Sequence, residues 1–274
     1  MNEAVPFEPH RFRSAAAHYR AGRPPYPPAL LRRAAQATGL GEGDRVLDLG
    51  CGPGPLAIGF AFFAAEVLAV DPEPRMLEQA AAAAEGIAPN LAFRLGSSND
   101  LDASFGRFHL AVMGRSFHWM DRPATLAALD TMIEPHGAVV LFGTDYPDVP
   151  ANGWRAAWRA LLDRYAEDDA WRRQRRDPNW LPHEAILLRS PFCRLETLAV
   201  IERRTRTAES LVEYALSRSS TSRARIGSRA DVMLAEARAF LARVAPAGTV
   251  NEVVRCTATI ARRDVQLRGY STSA

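Results

Sequence analysis

The chain contains no lysine: all 34 basic residues among its 274 are arginine. With alanine also abundant, this matches a GC-rich codon bias, so the net charge of +3 does not by itself call for a polyanionic partner. Arginines cluster at 172, 173, 175 and 176, at 203, 204 and 206, and at 218, 223, 225 and 229. Such runs read as solvated faces, because a nucleic-acid footprint needs a recognisable module beside it. There are only three cysteines, Cys51, Cys193 and Cys256, widely scattered. That excludes a disulfide framework and a Cys-based zinc site, and a reducing cytoplasm is the expected setting. No apolar stretch approaches ~20 residues, so no membrane-spanning helix is expected. The first residues, MNEAVPFEPHRFR, have no apolar h-region and do not read as a secretory signal. What is plentiful is apolar sequence, 47% of residues, enough for one domain with insertions or for two small domains.

The chain alternates between strand-like and helix-like segments. Residues 1–44 read as a helical segment or lid, broken at Gly22-Arg23-Pro24-Pro25-Tyr26-Pro27-Pro28, where the prolines forbid helix. Short apolar runs at 45–49, 66–70, 91–95, 108–113 and 137–142 read as strands. Helices are expected at 55–65, 74–84 and 122–132, the last capped by Asp121 and started by Pro123. Consecutive apolar positions fit strands covered on both faces. The alternation predicts an α/β fold: a doubly wound, Rossmann-like, mainly parallel sheet. Residues 45–145 would be its ligand-binding core. Residues 146–190, with Trp154, Trp158, Trp171 and Trp180, read as a helical cap insertion. Residues 191–274 return to the same sheet: a strand at 194–204, helices at 207–218 and 228–244, the latter with a Ser-x-x-Asp start, and an antiparallel last strand at 250–262.

The motif that carries most information is Val46-Leu47-Asp48-Leu49-Gly50-Cys51-Gly52-Pro53-Gly54, between a strand and a helix. Glycines let the backbone take positive φ and let a ligand approach without a Cβ clash. Ligands of open α/β sheets bind beyond the carboxyl ends of the strands, where this turn sits. A dinucleotide fingerprint would need a third glycine at position 55, which is proline. A P-loop would need Gly-Lys-Ser/Thr, which is absent. Asp48, just before the turn, suits an ammonium or sulfonium better than a pyrophosphate. Asp71 ends the second strand in Val70-Asp71-Pro72, about 20 residues past the glycines, where a carboxylate can accept both ribose hydroxyls. The two sites together specify a nucleoside with a cationic, non-phosphate extension, and S-adenosylmethionine (SAM) meets that description.

LDLGCGPG followed by AVDPEPRML resembles the nucleotide-binding half of class I SAM-dependent methyltransferases, in their small-molecule, type 11 branch. The resemblance spans about residues 15–145. It includes Tyr19-Arg20-Ala21-Gly22-Arg23-Pro24-Pro25-Tyr26-Pro27 and Ser116-Phe117-His118-Trp119-Met120-Asp121, similar to segments of trans-aconitate-methyltransferase-like proteins. It implies that Gly50, Gly52 and Gly54 face the methionine part of SAM, that Asp71 holds the ribose, and that Met76, Ser97, Ser98 and Asn99 flank adenine. Cys51 and Pro72 are expected among the cofactor-binding residues. Two positions depart from the pattern. The turn after the third strand, Gly96-Ser97-Ser98-Asn99-Asp100, lacks the usual placement of an acid for the adenine amine, and the fourth strand opens Phe108-His109 rather than Phe-Asp.

Methyl transfer by in-line displacement needs positioning, plus a base when the acceptor is a poorly ionised hydroxyl or amine. His118, after the fourth strand, is the expected base, with a structural histidine as the alternative. Arg23 and Arg115 are expected to bind acceptor carboxylates through their planar forks, with Tyr26 and Trp119 as pocket walls. The histidines at 10, 18, 109, 118, 136 and 183 show no i, i+4 pairing, so no metal is expected. The expected function is methyl transfer from SAM to a small-molecule acceptor, O-, N- or carboxyl-directed, with no nucleic-acid or membrane partner. A nucleic-acid methyltransferase is the alternative, disfavoured because Gly114-Arg115-Ser116-Phe117 stands where an Asn/Asp-Pro-Pro-aromatic segment would be. A non-catalytic SAM-binding protein is the other. The sequence sets no oligomeric state.

Overall fold

The computed structural model describes residues 7–264; the outermost expected boundaries, at residues 1 and 274, lie outside the described residues. Seven strands form one sheet in the order β3-β2-β1-β4-β5-β7-β6. They are β1 (Arg45–Leu49), β2 (Glu66–Asp71), β3 (Leu91–Leu95), β4 (Phe108–Gly114), β5 (Ile133–Asp145), β6 (Arg194–Thr207) and β7 (Thr249–Arg262). The first five are mutually parallel, and β7 is antiparallel to both β5 and β6. The order reverses between β1 and β4, which makes the carboxyl ends of these two strands the place where an open sheet leaves a crevice.

Adjacent residues of the buried strands serve opposite faces. Val46 and Val112 pack with Leu30, Leu31 and Phe60 of helices α2 (Pro28–Thr38) and α3 (Pro55–Phe60). Leu47, Leu49 and Met113 pack with Leu126 and Leu129 of α5 (Arg122–Met132) on the other face. Helix α4 (Pro74–Ala84) starts after Glu73, whose side chain accepts from the Arg75 N–H, and Asp121 caps α5 through the Ala124 N–H.

Helix α3 ends at Phe60, short of the expected 65. The reason is tertiary: the Asn90 side-chain amide, from the loop before β3, donates to the carbonyls of Ala61 and Ala64 at 2.9 Å each and holds the chain in turns. Strand β5 begins at Ile133, four residues before the expected start, and its register against β4 shifts between Ile133 and Ala138. Gly137 sits there because a Cβ would run into the His109 carbonyl.

The insertion contains α6 (Arg155–Tyr165), α7 (Ala170–Arg175) and α8 (His183–Leu187). Helix α6 shares a core with two later helices, α9 (Ala208–Ser217) and, after the short α10 (Arg223–Ile226), α11 (Arg229–Val244). Trp158, Leu162, Leu211, Met233 and Leu241 form that core. The insertion thus shares its core with helices from a later segment of the chain. Ser228 makes no side-chain cap to α11, contrary to the expected Ser-x-x-Asp start, because its backbone is already helical. A buried ion pair ties cap to sheet: Glu252 of β7 accepts from Arg155 of α6 at 2.5 Å and faces Arg206 of β6 at 3.6 Å. Arg206 also donates to the Gly22 carbonyl at the end of α1 (Ala16–Gly22), fixing the N-terminal segment over the sheet.

Candidate active site

The turn after β1 is braced before any ligand is considered. The N–H groups of Gly50 and Cys51 donate to the Val70 carbonyl at 2.8 and 3.0 Å. The Gly52 N–H donates to Asp71 Oδ2 at 2.8 Å, and the Glu73 N–H to Asp71 Oδ1 at 2.9 Å. Each Asp71 oxygen keeps a second lone pair. Burial, opposed by these two N–H donors, pushes the Asp71 carboxyl up to about 6. Asp48 lies beneath the turn, 1% exposed, and its Oδ2 accepts from the Ala57 N–H at the start of α3. Its Oδ1 is buried with no hydrogen-bond partner, and burial pushes the carboxyl up to about 8.

A cavity of about 310 Å³ opens beyond the carboxyl ends of β1, β2 and β4. Gly50, Gly52, Asp71, Pro72, Met76, Ser97, Ser98 and Asn99, all expected from the sequence, line it together with Arg115 and Trp119. Gly52 has φ +54° and a Cβ there would meet open space, so this glycine keeps the cavity floor clear. Gly54 is different. It does not line the cavity; its φ is +76° and its missing Cβ would press on Ala80 of α4, so it serves helix packing. Asp100 is taken up by its own turn: its Oδ2 accepts from the Ser97 N–H and hydroxyl at 2.7 and 2.8 Å, while Ser98 and Asn99 line the cavity.

An inner recess continues from the cavity between Tyr19, Tyr26, Asp48, Cys51 and Arg115. Tyr26 is buried, donates its hydroxyl to the Phe142 carbonyl at 3.2 Å, and lies 5.3 Å from the Arg115 guanidinium carbon. Arg115 is the single non-glycine residue with positive φ among the described residues, at 58°, and its Nε is buried without a partner. Left-handed backbone at a long side chain is a strained arrangement held by its surroundings, here the Arg115 N–H donating to the Phe142 carbonyl.

Two expected residues stand elsewhere. Arg23 does not line the cavity: it donates to the Ser217 hydroxyl at 3.0 Å and to its carbonyl, and stacks on Tyr19. His118 also lies outside the lining, packed between Trp119, Trp171 and His183 with ring centroids 4.7, 5.2 and 6.1 Å away. Burial, then the cationic neighbours Arg175, Arg23 and Arg122 together with His183, holds its imidazole well below the ordinary value.

The roof comes from the 1–44 segment expected as a helical segment or lid, but its residues were not singled out from the sequence. Residues 7–12 cross the cavity, and Pro9, Arg11 and Phe12 line it. Arg11 is buried in an ion pair with Asp169 at the start of α7, and its guanidinium lies 4.5 Å over Trp119, which stacks on Trp171 at 4.2 Å. Glu73, 2% exposed, is met from the same segment by His10 at 3.1 Å. The Asp-Pro-Glu-Pro order, an acid placed to cap α4, was the available signal for Glu73; Arg11 had none.

A family model described as a methyltransferase domain matches residues 46–137. The matched segment is thus similar to methyltransferase domains. The chain is 30% identical over 130 residues to an uncharacterized methyltransferase of Mycobacterium tuberculosis strain H37Rv, covering 47% of this chain and 50% of that protein. It is 28% identical over 131 residues to an uncharacterized methyltransferase of Schizosaccharomyces pombe, 47% of this chain and 51% of that one. The chain thus spans about half the length of the curated relatives it matches. Among solved structures it resembles a SAM-dependent methyltransferase from Geobacter sulfurreducens in complex with S-adenosyl-L-homocysteine, with TM-score 0.51 and 16% identity over 94% of this chain and 99% of that chain. A candidate type II methyltransferase from Anaeromyxobacter dehalogenans gives TM-score 0.56 and 23% identity over 88% and 97%. These structural likenesses concern the fold. The matched segment carries the glycine turn, Asp71 and the 97–99 turn, whereas the roof and cap lie outside the matched residues. No helix among the described residues is long and apolar enough to cross a membrane.

Proposed function

We propose that the protein transfers the methyl group of SAM to a small-molecule acceptor. One observation supports the fit to SAM: Asp48 and Arg115 both line the recess behind the glycine turn, and Asp48 Oδ1 and Arg115 Nε are buried with no partner. Buried polar groups are almost always satisfied, so an unmatched acid and an unmatched cation in one recess call for a zwitterion. The α-amino and α-carboxylate groups of methionine are such a pair. Asp71 would accept the ribose hydroxyls on its remaining lone pairs, and Met76 with the 97–99 turn would flank the adenine.

When bound, SAM supplies a methyl group on a cationic sulfur. The chain's own contribution is to hold and shield. Residues 7–12 cover part of the cavity, and Phe12, Tyr19 and Trp119 offer an aromatic wall for the acceptor. No histidine is among the described cavity-lining residues, which favours an acceptor already ionised at neutral pH, or one that needs no side-chain base. A cavity of this size, roofed by residues 7–12, favours a small acceptor over a nucleic acid.

The test is a SAM-turnover screen against carboxylate, phenol and amine acceptors, run beside direct binding of S-adenosylhomocysteine. Turnover with any of these supports the reading. Binding without turnover across all three classes points to the non-catalytic alternative, and absence of binding overturns both.

A further inference from the structure

At the amino ends of the strands, opposite the cofactor cavity, Asp44, His109 and Glu134 bring three ligand-type atoms within 4.8 Å of one another. Asp44 immediately precedes β1, His109 is the second residue of β4 and Glu134 the second of β5. From His109 to Gly114, which lines the cavity, is five residues of strand, or about 17 Å. The cluster is therefore separate from the cavity, and its chemistry is independent of the proposed function.

The hydrogen bonding fixes the roles. His109 is 8% exposed, and its Nε2 lies 2.8 Å from the Thr38 carbonyl. A carbonyl can only accept, so Nε2 carries the proton and the lone pair of the neutral ring sits on Nδ1. That lone pair faces Glu134 Oε2 at 3.6 Å and Asp44 Oδ2 at 3.8 Å. Both distances are too long for a hydrogen bond. Three acceptors thus converge with no donor among them, one of them buried, which is unfavourable unless a cation stands between them. Two of the three are also held. The Gly41 N–H donates to Asp44 Oδ2 at 2.7 Å, and Thr38 fixes the imidazole plane. A metal-binding histidine typically gives its other N–H to a carbonyl or carboxylate in this way. The neighbouring guanidinium groups are engaged elsewhere: Arg45 with Glu66 and the Arg107 carbonyl, Arg263 with Asp130 and the Glu134 carbonyl.

We propose that Asp44, His109 and Glu134 bind a divalent transition-metal cation through His109 Nδ1 and one oxygen from each carboxylate. Two ligands on a tetrahedral Zn²⁺ at about 2.0–2.2 Å lie about 3.3–3.5 Å apart; the two His109 distances, 3.6 and 3.8 Å, are close to this, and the carboxylate oxygens, within 4.8 Å of each other, close the rest by side-chain rotation. Glu134, the more exposed carboxylate, closes on the ion, and water takes the fourth position. The ion would tie together the starts of β1, β4 and β5 and the loop after α2. It would be a staple of the fold, remote from the chemistry.

The test uses the full chain, stripped with chelator and titrated with Zn²⁺ by calorimetry, beside Glu134→Gln and Asp44→Asn. The expected result is one tight site in wild type, weakened at least 10–100-fold in each variant, with Zn²⁺ raising the melting temperature of wild type only. Glu134→Gln alters a half-exposed side chain and should fold. As an independent reading on wild type, the His109 ring nitrogens are followed by ¹⁵N NMR, and Zn²⁺ should move the Nδ1 resonance and leave Nε2 protonated. Equal Zn²⁺ affinity in wild type and both variants overturns the proposal. So does a His109 ring that is protonated at both nitrogens and indifferent to Zn²⁺, since the cation between the carboxylates would then be the imidazolium itself.

Discussion

The Gly52 N–H donates to Asp71 Oδ2 at 2.8 Å, so the glycine turn after β1 and the acidic end of β2 form one braced unit. Asp71→Ala should therefore act twice. Loss of hydrogen bonds to a charged acceptor should weaken SAM by about 1.5–3 kcal/mol, and the freed N–H groups of Gly52 and Glu73 should lower the melting temperature. S-adenosylhomocysteine has the same ribose and should weaken equally in calorimetry. A variant that discriminates between the two ligands would place Asp71 away from the ribose.

Gly52→Ala separates backbone strain from ligand clash. Its φ of +54° should cost a non-glycine residue about 1–2 kcal/mol of stability. The added methyl points into the cavity, so SAM affinity should fall further than stability does, and Gly52→Val should abolish binding in a folded protein. Unchanged affinity in either folded variant would contradict the assignment of the turn.

Asp48 makes two separate predictions through Asp48→Asn. The first concerns ligands: binding of SAM should weaken, whereas 5′-methylthioadenosine, which lacks the amino-acid end, should bind as before. The second concerns pH. The folded carboxyls of Asp48 and Asp71 titrate near 8 and near 6, above the ordinary value of about 4. The folded state therefore holds protons more tightly than the unfolded one, and stability is lost as pH rises from about 4 through about 8. Between pH 6 and 8 the loss belongs to Asp48, so urea midpoints of the ligand-free variant should be flatter than wild type in that window. Parallel curves would show that Asp48 is ionised in the ligand-free protein.

His118→Ala should leave SAM affinity nearly unchanged and should not shift the pH profile of turnover. A general base contributes about 10²–10⁴-fold. A rate loss of that size that flattens at high pH would restore His118 to the chemistry despite its place behind Trp119. The expected change is instead a lower melting temperature, from the lost packing on Trp171 and His183.

Arg11→Met tests the roof. Removing the guanidinium leaves the Asp169 carboxylate with only the Arg172 N–H as partner, at a cost of up to about 3–5 kcal/mol for breaking a buried pair. Because the roof covers the cavity, SAM dissociation followed by tryptophan fluorescence should speed up more than association slows. An unchanged dissociation rate would mean that the roof is held from elsewhere.

The division between sequence and tertiary structure follows from the range of the interactions. The sheet, and the turn and strand-end residues that line the cavity, were legible because they are local. Apolar runs of five residues read as buried strands, and a glycine turn, an acid before it and an acid twenty residues on need no knowledge of the rest of the chain. The tertiary structure decided what depends on segments far apart in sequence. Asn90 shortens α3 from a loop 29 residues away. Arg11 reaches Asp169 across 158 residues to close the roof. His118 occupies the position the sequence suggested, yet the cap folds Trp171 and His183 onto it and turns it away from the cavity. Asp44, His109 and Glu134 carry no local spacing pattern, because three neighbouring strand starts, distant in sequence, supply one donor each. Spacing rules detect ligands on one turn of one helix, whereas donors gathered by a parallel sheet become visible only once the strand order is known.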